Sequence, residues 1–284
     1  MDSVLIKNCR LYNSQNPNEL NDVLIEDGII KQVVPAKSNL ASNRTVDAGR
    51  LILAPGFIDV HIQGAGGSDV LDGKIKSLET ISKTLARLGT TSFLATTVVK
   101  PTNYNQHLRL IAEHVGKDLG GAEILGIHLE GPFINPIKKG GLDPLSIYSS
   151  SQKALAEIIN VTGDSLRMMT IAPEMDRNIQ IIKKLVAKNI VASFGHSNAS
   201  YEEVKDGIKA GISHVTHIFN AMPQLNHRLP GPLLAIFEDE NISAQIISDG
   251  VHLHSGIVNL IYKLIGPDRC ICITDGVQAI GLPE

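Results

Sequence analysis

The sequence predicts an α/β chain folded as a (β/α)8 TIM-like barrel with a small N-terminal β domain. Three observations predict it. Short apolar runs recur from Leu51 onward and read as fully buried parallel strands, because a strand covered on both faces has no polar side. Stretches of helical character separate most of these runs, as the crossover between parallel strands requires. Five of the runs end on a side chain able to bind a metal or carry a proton, and a barrel gathers its strand ends on one face. A doubly wound open sheet would place its site at one switch point and would not recruit so many strands together.

Residues 1–50 form the first unit. Val4–Ile6, Asp22–Glu26 and Ile29–Val34 are short β-rich runs, and Asp27-Gly28 between the last two is a hairpin signal. This reads as an incomplete, β-sandwich-like domain, too small to be stable alone. Residues 51–284 form the barrel, with strands predicted at 52–60, 91–98, 123–129, 167–171, 189–195, 213–217, 242–248 and 270–274. Helices are predicted at Ser77–Leu88, Asn105–Val115, Asn178–Lys188 and Tyr201–Ala210, among others. A chain of 284 residues, 43% of them apolar, can bury a core of that size. After the eighth strand only Gly276–Glu284 follow, so the expectation is a barrel truncated after strand 8, with no closing helix and no partner for the N-terminal β unit.

Composition narrows the function. A net charge of −3 gives no basic surplus for nucleic acid or an acidic membrane, so an anionic ligand needs a local site. No run approaches the ~20 apolar residues of a membrane span, and the N-terminus lacks a signal-peptide core. Cys9, Cys270 and Cys272 make no disulfide framework and no zinc spacing. Cys270 and Cys272 read as strand packing, and a cytoplasmic location is expected.

The strand ends carry the chemistry. Glu130 follows Ile124–Leu129, His196 follows Ile190–Gly195, His217 follows Ser213–Thr216, Asp275 follows Cys270–Thr274, and His61 follows Leu51–Val60. Singly, each has a plain alternative: a solvated strand end, a core histidine, a turn aspartate. Together, a carboxylate and two imidazoles with an open position make the usual first shell of a catalytic divalent metal. Asp275, left unligated, suits the base that takes a proton from water and passes it on. His107 and His114, seven apart on a helix, read as surface residues.

These residues resemble the amidohydrolase superfamily, and within it the N-acetylglucosamine-6-phosphate deacetylase family. Pro55–His61, His128–Phe133, Gly195–Ala199, Thr216–Met222, Asp249–His252 and Thr274-Asp275 carry the resemblance, in the family's order. It implies that Glu130, His196 and His217 bind one divalent metal (zinc, iron or manganese), with His61 at a possible second site. It implies Asp275 as general base and acid, Gly141, Asn220 and Ala221 on the sugar, and Arg228 and His252 on the 6-phosphate. A planar guanidinium fork suits that phosphate. The implied reaction converts N-acetyl-D-glucosamine 6-phosphate to D-glucosamine 6-phosphate and acetate, in amino-sugar catabolism, by a homodimer. Three positions depart from the family pattern: Gln63 replaces a second-metal histidine, Leu142 replaces a substrate-placing histidine, and Leu229 stands where Glu is frequent. The rivals are a deacetylase for the galactosamine epimer, an acylamino-acid hydrolase, and an inactive remnant that binds metal or sugar phosphate.

Overall fold

The computed structural model describes residues 2–100 and 104–283. Two compact units divide after Gly56. In the first, β1 (Ser3–Leu11) pairs antiparallel with β2 (Asn21–Glu26), which pairs antiparallel with β3 (Ile29–Pro35). The β2–β3 turn is Asp27-Gly28, with φ of 48° and 79°, the two positive values that a type I′ hairpin needs. Two further strands escape the sequence reading: β4 (Arg44–Asp47) and β5 (Ile52–Leu53) both run parallel to β1. The predicted 52–60 strand is therefore split. Its first residues belong to β5, and Pro55-Gly56 interrupts it, since proline cannot donate to a ladder.

The second unit is the barrel. In chain order it runs β6 (Phe57–Ile62), a short hairpin of β7 (Gly64–Ala65) and β8 (Ser68–Asp69), α1 (Ile75–Arg87), β9 (Thr90–Thr97), α2 (Gln106–His114), β10 (Glu123–Glu130), α3 (Gln152–Thr162) and β11 (Leu166–Ile171). It continues with α4 (Asn178–Val186), β12 (Val191–Phe194), α5 (Tyr201–Ala210), β13 (His214–Val215), α6 (Gly231–Glu238), β14 (Ser243–Ile247), α7 (Ser255–Ile265) and β15 (Cys270–Ile273). Eight parallel strands form one sheet in the order β15-β14-β13-β12-β11-β10-β9-β6. The expected barrel is present, with β13 shortened to two residues.

The ring closes without a ladder between its first and last strands. Instead Ile62 and Gly276 form an isolated parallel bridge, and the Gln63 N–H donates to the Gly276 carbonyl at 2.7 Å. The Asp59 carboxylate adds side-chain closure, accepting from the Thr274 hydroxyl at 2.6 Å. At this seam the expectation of fully buried strands fails. Phe57 and Ile58 are 71% and 54% exposed, and Cys272 is exposed rather than packed. An open groove of about 300 Å³ lies there, lined among others by Phe57, Leu88, Cys272 and Ile280. Elsewhere the helices cover the strands, and Phe93, Ile127, Phe133 and Phe194 are fully buried. No described helix is long and apolar enough to cross a membrane.

Candidate metal centre

Glu130 is the last residue of β10, and Gly131 behind it turns the chain at φ 90°. His196 stands two residues beyond β12, His217 two beyond β13, and Asp275 two beyond β15. These last three share an unusual backbone: φ is 48°, 29° and 49°, in the left-handed region that residues with a Cβ seldom adopt. Each strand thus ends in a reversal that turns one side chain toward the barrel axis. Glu130, His196 and His217 are all buried, and their ligand atoms lie within 4.8 Å of one another. Glu130 is therefore a buried residue, against its plain alternative as a solvated strand end.

The donor set fits a divalent cation. The His196 Nδ1–H donates to the Lys138 carbonyl at 2.8 Å, which leaves the Nε2 lone pair facing Glu130 Oε1 at 2.9 Å. His217 Nε2 lies 3.0 Å from that nitrogen and 3.2 Å from the same oxygen. Two ring nitrogens and a carboxylate oxygen in mutual contact present more lone pairs than the intervening protons can satisfy. A divalent ion held by Glu130, His196 and His217 would satisfy all three.

Two further groups complete the centre. His61 is fully buried; its Nδ1–H donates to Gln245 Oε1 at 2.9 Å, so its Nε2 faces inward. That Nε2 lies 3.2 Å from Asp275 Oδ1 and 3.6 Å from Glu130 Oε1, yet neither contact is aligned as a hydrogen bond. Charge sets the protonation of the group. Burial alone would raise the Glu130 carboxyl, but His61 with the bonds from His196 and His217 holds it well below the usual range. Burial likewise opposes protonation of His61, and the carboxylates of Glu130 and Asp275 overcome it. His196 is raised in the same way by its bond to Glu130, whereas burial prevails at His217 and lowers it. At Asp275 burial is outweighed by the close approach and charge of His61, which hold this carboxyl below its usual range. A field that draws protons onto buried imidazoles also draws a cation.

The remaining expected residues sit on the loops above the centre. Asn220 donates its side-chain N–H to the His217 and Ile218 carbonyls, and the Ala221 carbonyl accepts from the Ser197 N–H. Gly141, Arg228 and His252 are exposed, on the loops after β10, β13 and β14. The Arg228 guanidinium has no ion-pair partner among the described residues, and His252 Nδ1 is held by Asp249 Oδ2 at 2.8 Å. The His252 backbone N–H and ring push Asp249 down to about 2. The structure brings together the candidate metal ligands, His61 and Asp275, and leaves Arg228 and His252 exposed.

Sequence reasoning missed several supporting groups. Gln63, a poor metal ligand, donates from Nε2 to Glu130 Oε2 at 3.2 Å and so orients that carboxylate. Gln245, an inward residue of β14, fixes the tautomer of His61. His128 is buried edge-on to His61, with its Nδ1–H on the Val60 carbonyl and its Nε2 accepting from the Thr170 hydroxyl. His107 is a correction: it is fully buried, bonded through Nε2 to the Val98 carbonyl, and not a surface residue. A polar residue next to an apolar helix stripe gave a signal for that burial; Gln63 and Gln245 gave none.

Comparison with known proteins agrees with this geometry. The sequence profile described as "Amidohydrolase family" matches residues 52–274. An N-acetylglucosamine-6-phosphate deacetylase of Bacillus subtilis is 34% identical over 288 residues, covering 100% of this chain and 73% of the relative. An N-acetylgalactosamine-6-phosphate deacetylase of Escherichia coli O157:H7 is 31% identical, covering 97% of this chain and 72% of its own. Among solved structures, a variant N-acetyl-D-glucosamine-6-phosphate deacetylase of Mycobacterium smegmatis, in complex with N-acetyl-D-glucosamine-6-phosphate, superposes with a TM-score of 0.88. It is 28% identical over 100% of this chain and 73% of that one.

Proposed function

The chain belongs to the amidohydrolase family, and from that premise we infer that it hydrolyses the acetamide of N-acetyl-D-glucosamine 6-phosphate to D-glucosamine 6-phosphate and acetate. The observation that carries the chemistry is the convergence of Glu130, His196 and His217, with the ionised Asp275 carboxylate beside them. One divalent ion, zinc, iron or manganese, is assigned to the three ligands, and His61 is assigned no ion of its own, since Gln63 offers no second imidazole. A metal held there would acidify water and polarise the acetamide carbonyl. Asp275 Oδ1 takes the proton of the attacking water and returns it to the sugar nitrogen as the C–N bond breaks. His61, 3.2 Å away, keeps that carboxylate aimed inward. Asn220, Ala221 and Gly141 are assigned to the sugar, and Arg228 with His252 to the phosphate, whose charge a net −3 chain must meet locally. A reducing, cytoplasmic setting suits three free cysteines, and a homodimer is the assembly the family resemblance implies.

Acetate release from N-acetylglucosamine 6-phosphate by the metal-supplemented chain tests this reading. Asp275→Asn should lower turnover by about 100- to 10,000-fold, the usual contribution of a positioned acid–base group, with metal content unchanged. Loss of the metal in that variant would refute the division between ligands and base. The Escherichia coli relative supports a second reading, the galacto epimer, and parallel assays on both sugar phosphates decide between them by kcat/KM.

A further inference from the structure

Glu174 stands three residues beyond β11 and has no part in the chemistry above, yet its carboxylate gathers hydrogen bonds from two neighbouring loops. Oε1 accepts from Asn135 Nδ2 at 3.0 Å and from the Asn198 N–H at 2.7 Å, and Oε2 accepts from the Ser197 hydroxyl at 2.7 Å. Ser197 and Asn198 directly follow His196. Asn135 reaches the same histidine by a second route. Its own N–H donates to the His196 carbonyl at 2.9 Å. Its Oδ1 accepts from the Ile137 N–H at 3.0 Å and caps the 3-10 turn Pro136–Lys138. The last residue of that turn supplies the carbonyl that accepts the His196 Nδ1–H. Glu174 therefore grips both the backbone that carries His196 and the acceptor that sets its tautomer.

The backbone explains the need for such a grip. His196 has φ of 48°, a conformation that persists only where its surroundings over-determine it. An ionised carboxylate suits the three donors, because it offers about four acceptor sites and no N–H or O–H of its own. We propose that Glu174 is a positioning residue for His196, fixing the ring so that Nε2 faces the metal. The assignment rests on the reading of His196 as a ligand.

Zinc affinity, measured by competition with a chromophoric chelator, tests it without recourse to turnover. Glu174→Ala and the size-matched Glu174→Leu should both weaken zinc binding, by about 10- to 100-fold, as loss of a ligand's outer partner usually does. Glu174→Gln should recover much of this, since its Oε1 still serves Asn135 and Asn198. Cobalt bound to the Leu variant should show visible absorption bands shifted from those of the parent. Wild-type zinc affinity in Glu174→Leu would overturn the proposal, because packing alone would then suffice. Should the Ala or Leu variant not fold, judged by melting of the metal-free protein, Ser197→Ala and Asn135→Ala, each removing one donor, carry the same readout; wild-type affinity in both would also overturn it. A parent chain that binds zinc but releases no acetate would refute the deacetylase reading and leave the role of Glu174 standing.

Discussion

Burial works against charge at every histidine around the centre, and the carboxylates decide where it is overcome. At His61 and His196 they win and draw the ring toward the charged form; burial prevails at His128 and His214, aided by the charge of His61, and at His217 despite Glu130. His214 is the clearest case, bonded through Nδ1 to the Ser243 hydroxyl at 2.6 Å with Nε2 buried and unpartnered among the described residues. Burial, then the charge of His61, lowers it from 6.5 to about 4. As pH falls the unfolded chain takes up this proton first. The stability it contributes is fully present above about pH 6.5 and is lost progressively between there and about pH 4. The shift corresponds to roughly 3 kcal/mol. His214→Asn, which can keep a bond to Ser243, should flatten the fall in unfolding free energy between pH 7 and pH 4.5 by an amount of that order. Urea unfolding of the metal-free proteins at both pH values measures it, and equal slopes for parent and variant would remove His214 from the acid sensitivity.

Strand ends carry the next level of the design. Left-handed backbone at His196, His217 and Asp275 costs about 1–3 kcal/mol per residue, and hydrogen bonds from adjoining loops must offset it. At Asp275 those bonds come from the seam: its N–H donates to the His61 carbonyl at 3.0 Å, next to the Asp59–Thr274 pair. Asp59→Ala strands the buried His61 N–H, at a cost of about 1–3 kcal/mol, and takes away the acceptor of the exposed Thr274 hydroxyl. It should lower stability by that order and reduce kcat more than KM, because Asp275 loses its anchor while the loops above stay intact. Chemical unfolding and acetate release together check this; unchanged values would place closure in the backbone bridge alone. The same level shows what the sequence could reveal. Glu130, His196, His217 and Asp275 were legible because each ends an apolar run, and period and position coincide there. Glu174, Asn135 and the Lys138 carbonyl were not, because they belong to loops with no period and act through hydrogen bonds between segments dozens of residues apart. Exposure of Phe57 and Cys272 was likewise illegible: a strand at the seam has the same apolar composition as one inside the ring.

For the whole molecule, the centre ties together strands that the chain makes far apart. The candidate ligands at the ends of β10, β12 and β13 lie across residues 130 to 217, so a metal held there would cross-link the middle of the barrel in the folded state only. Free metal at about 100 times its dissociation constant then adds about 2.7 kcal/mol to unfolding free energy. Dialysis against a chelator should lower the melting temperature accordingly, by several degrees on the scale of about 2–4 °C per kcal/mol. The increment should also depend on pH, and its sign follows from the protonation already described. His196 binds metal only when neutral at Nε2, and its pKa is raised by Glu130, so below that raised value the ion must displace a proton. Affinity should therefore fall as pH falls, by about tenfold per unit for each proton displaced. The melting difference between metal-loaded and metal-free chain should be larger at pH 8 than at pH 5.5. A difference independent of pH would mean that the ion binds away from His196, and a difference of zero at pH 8 would mean that these three side chains hold no metal.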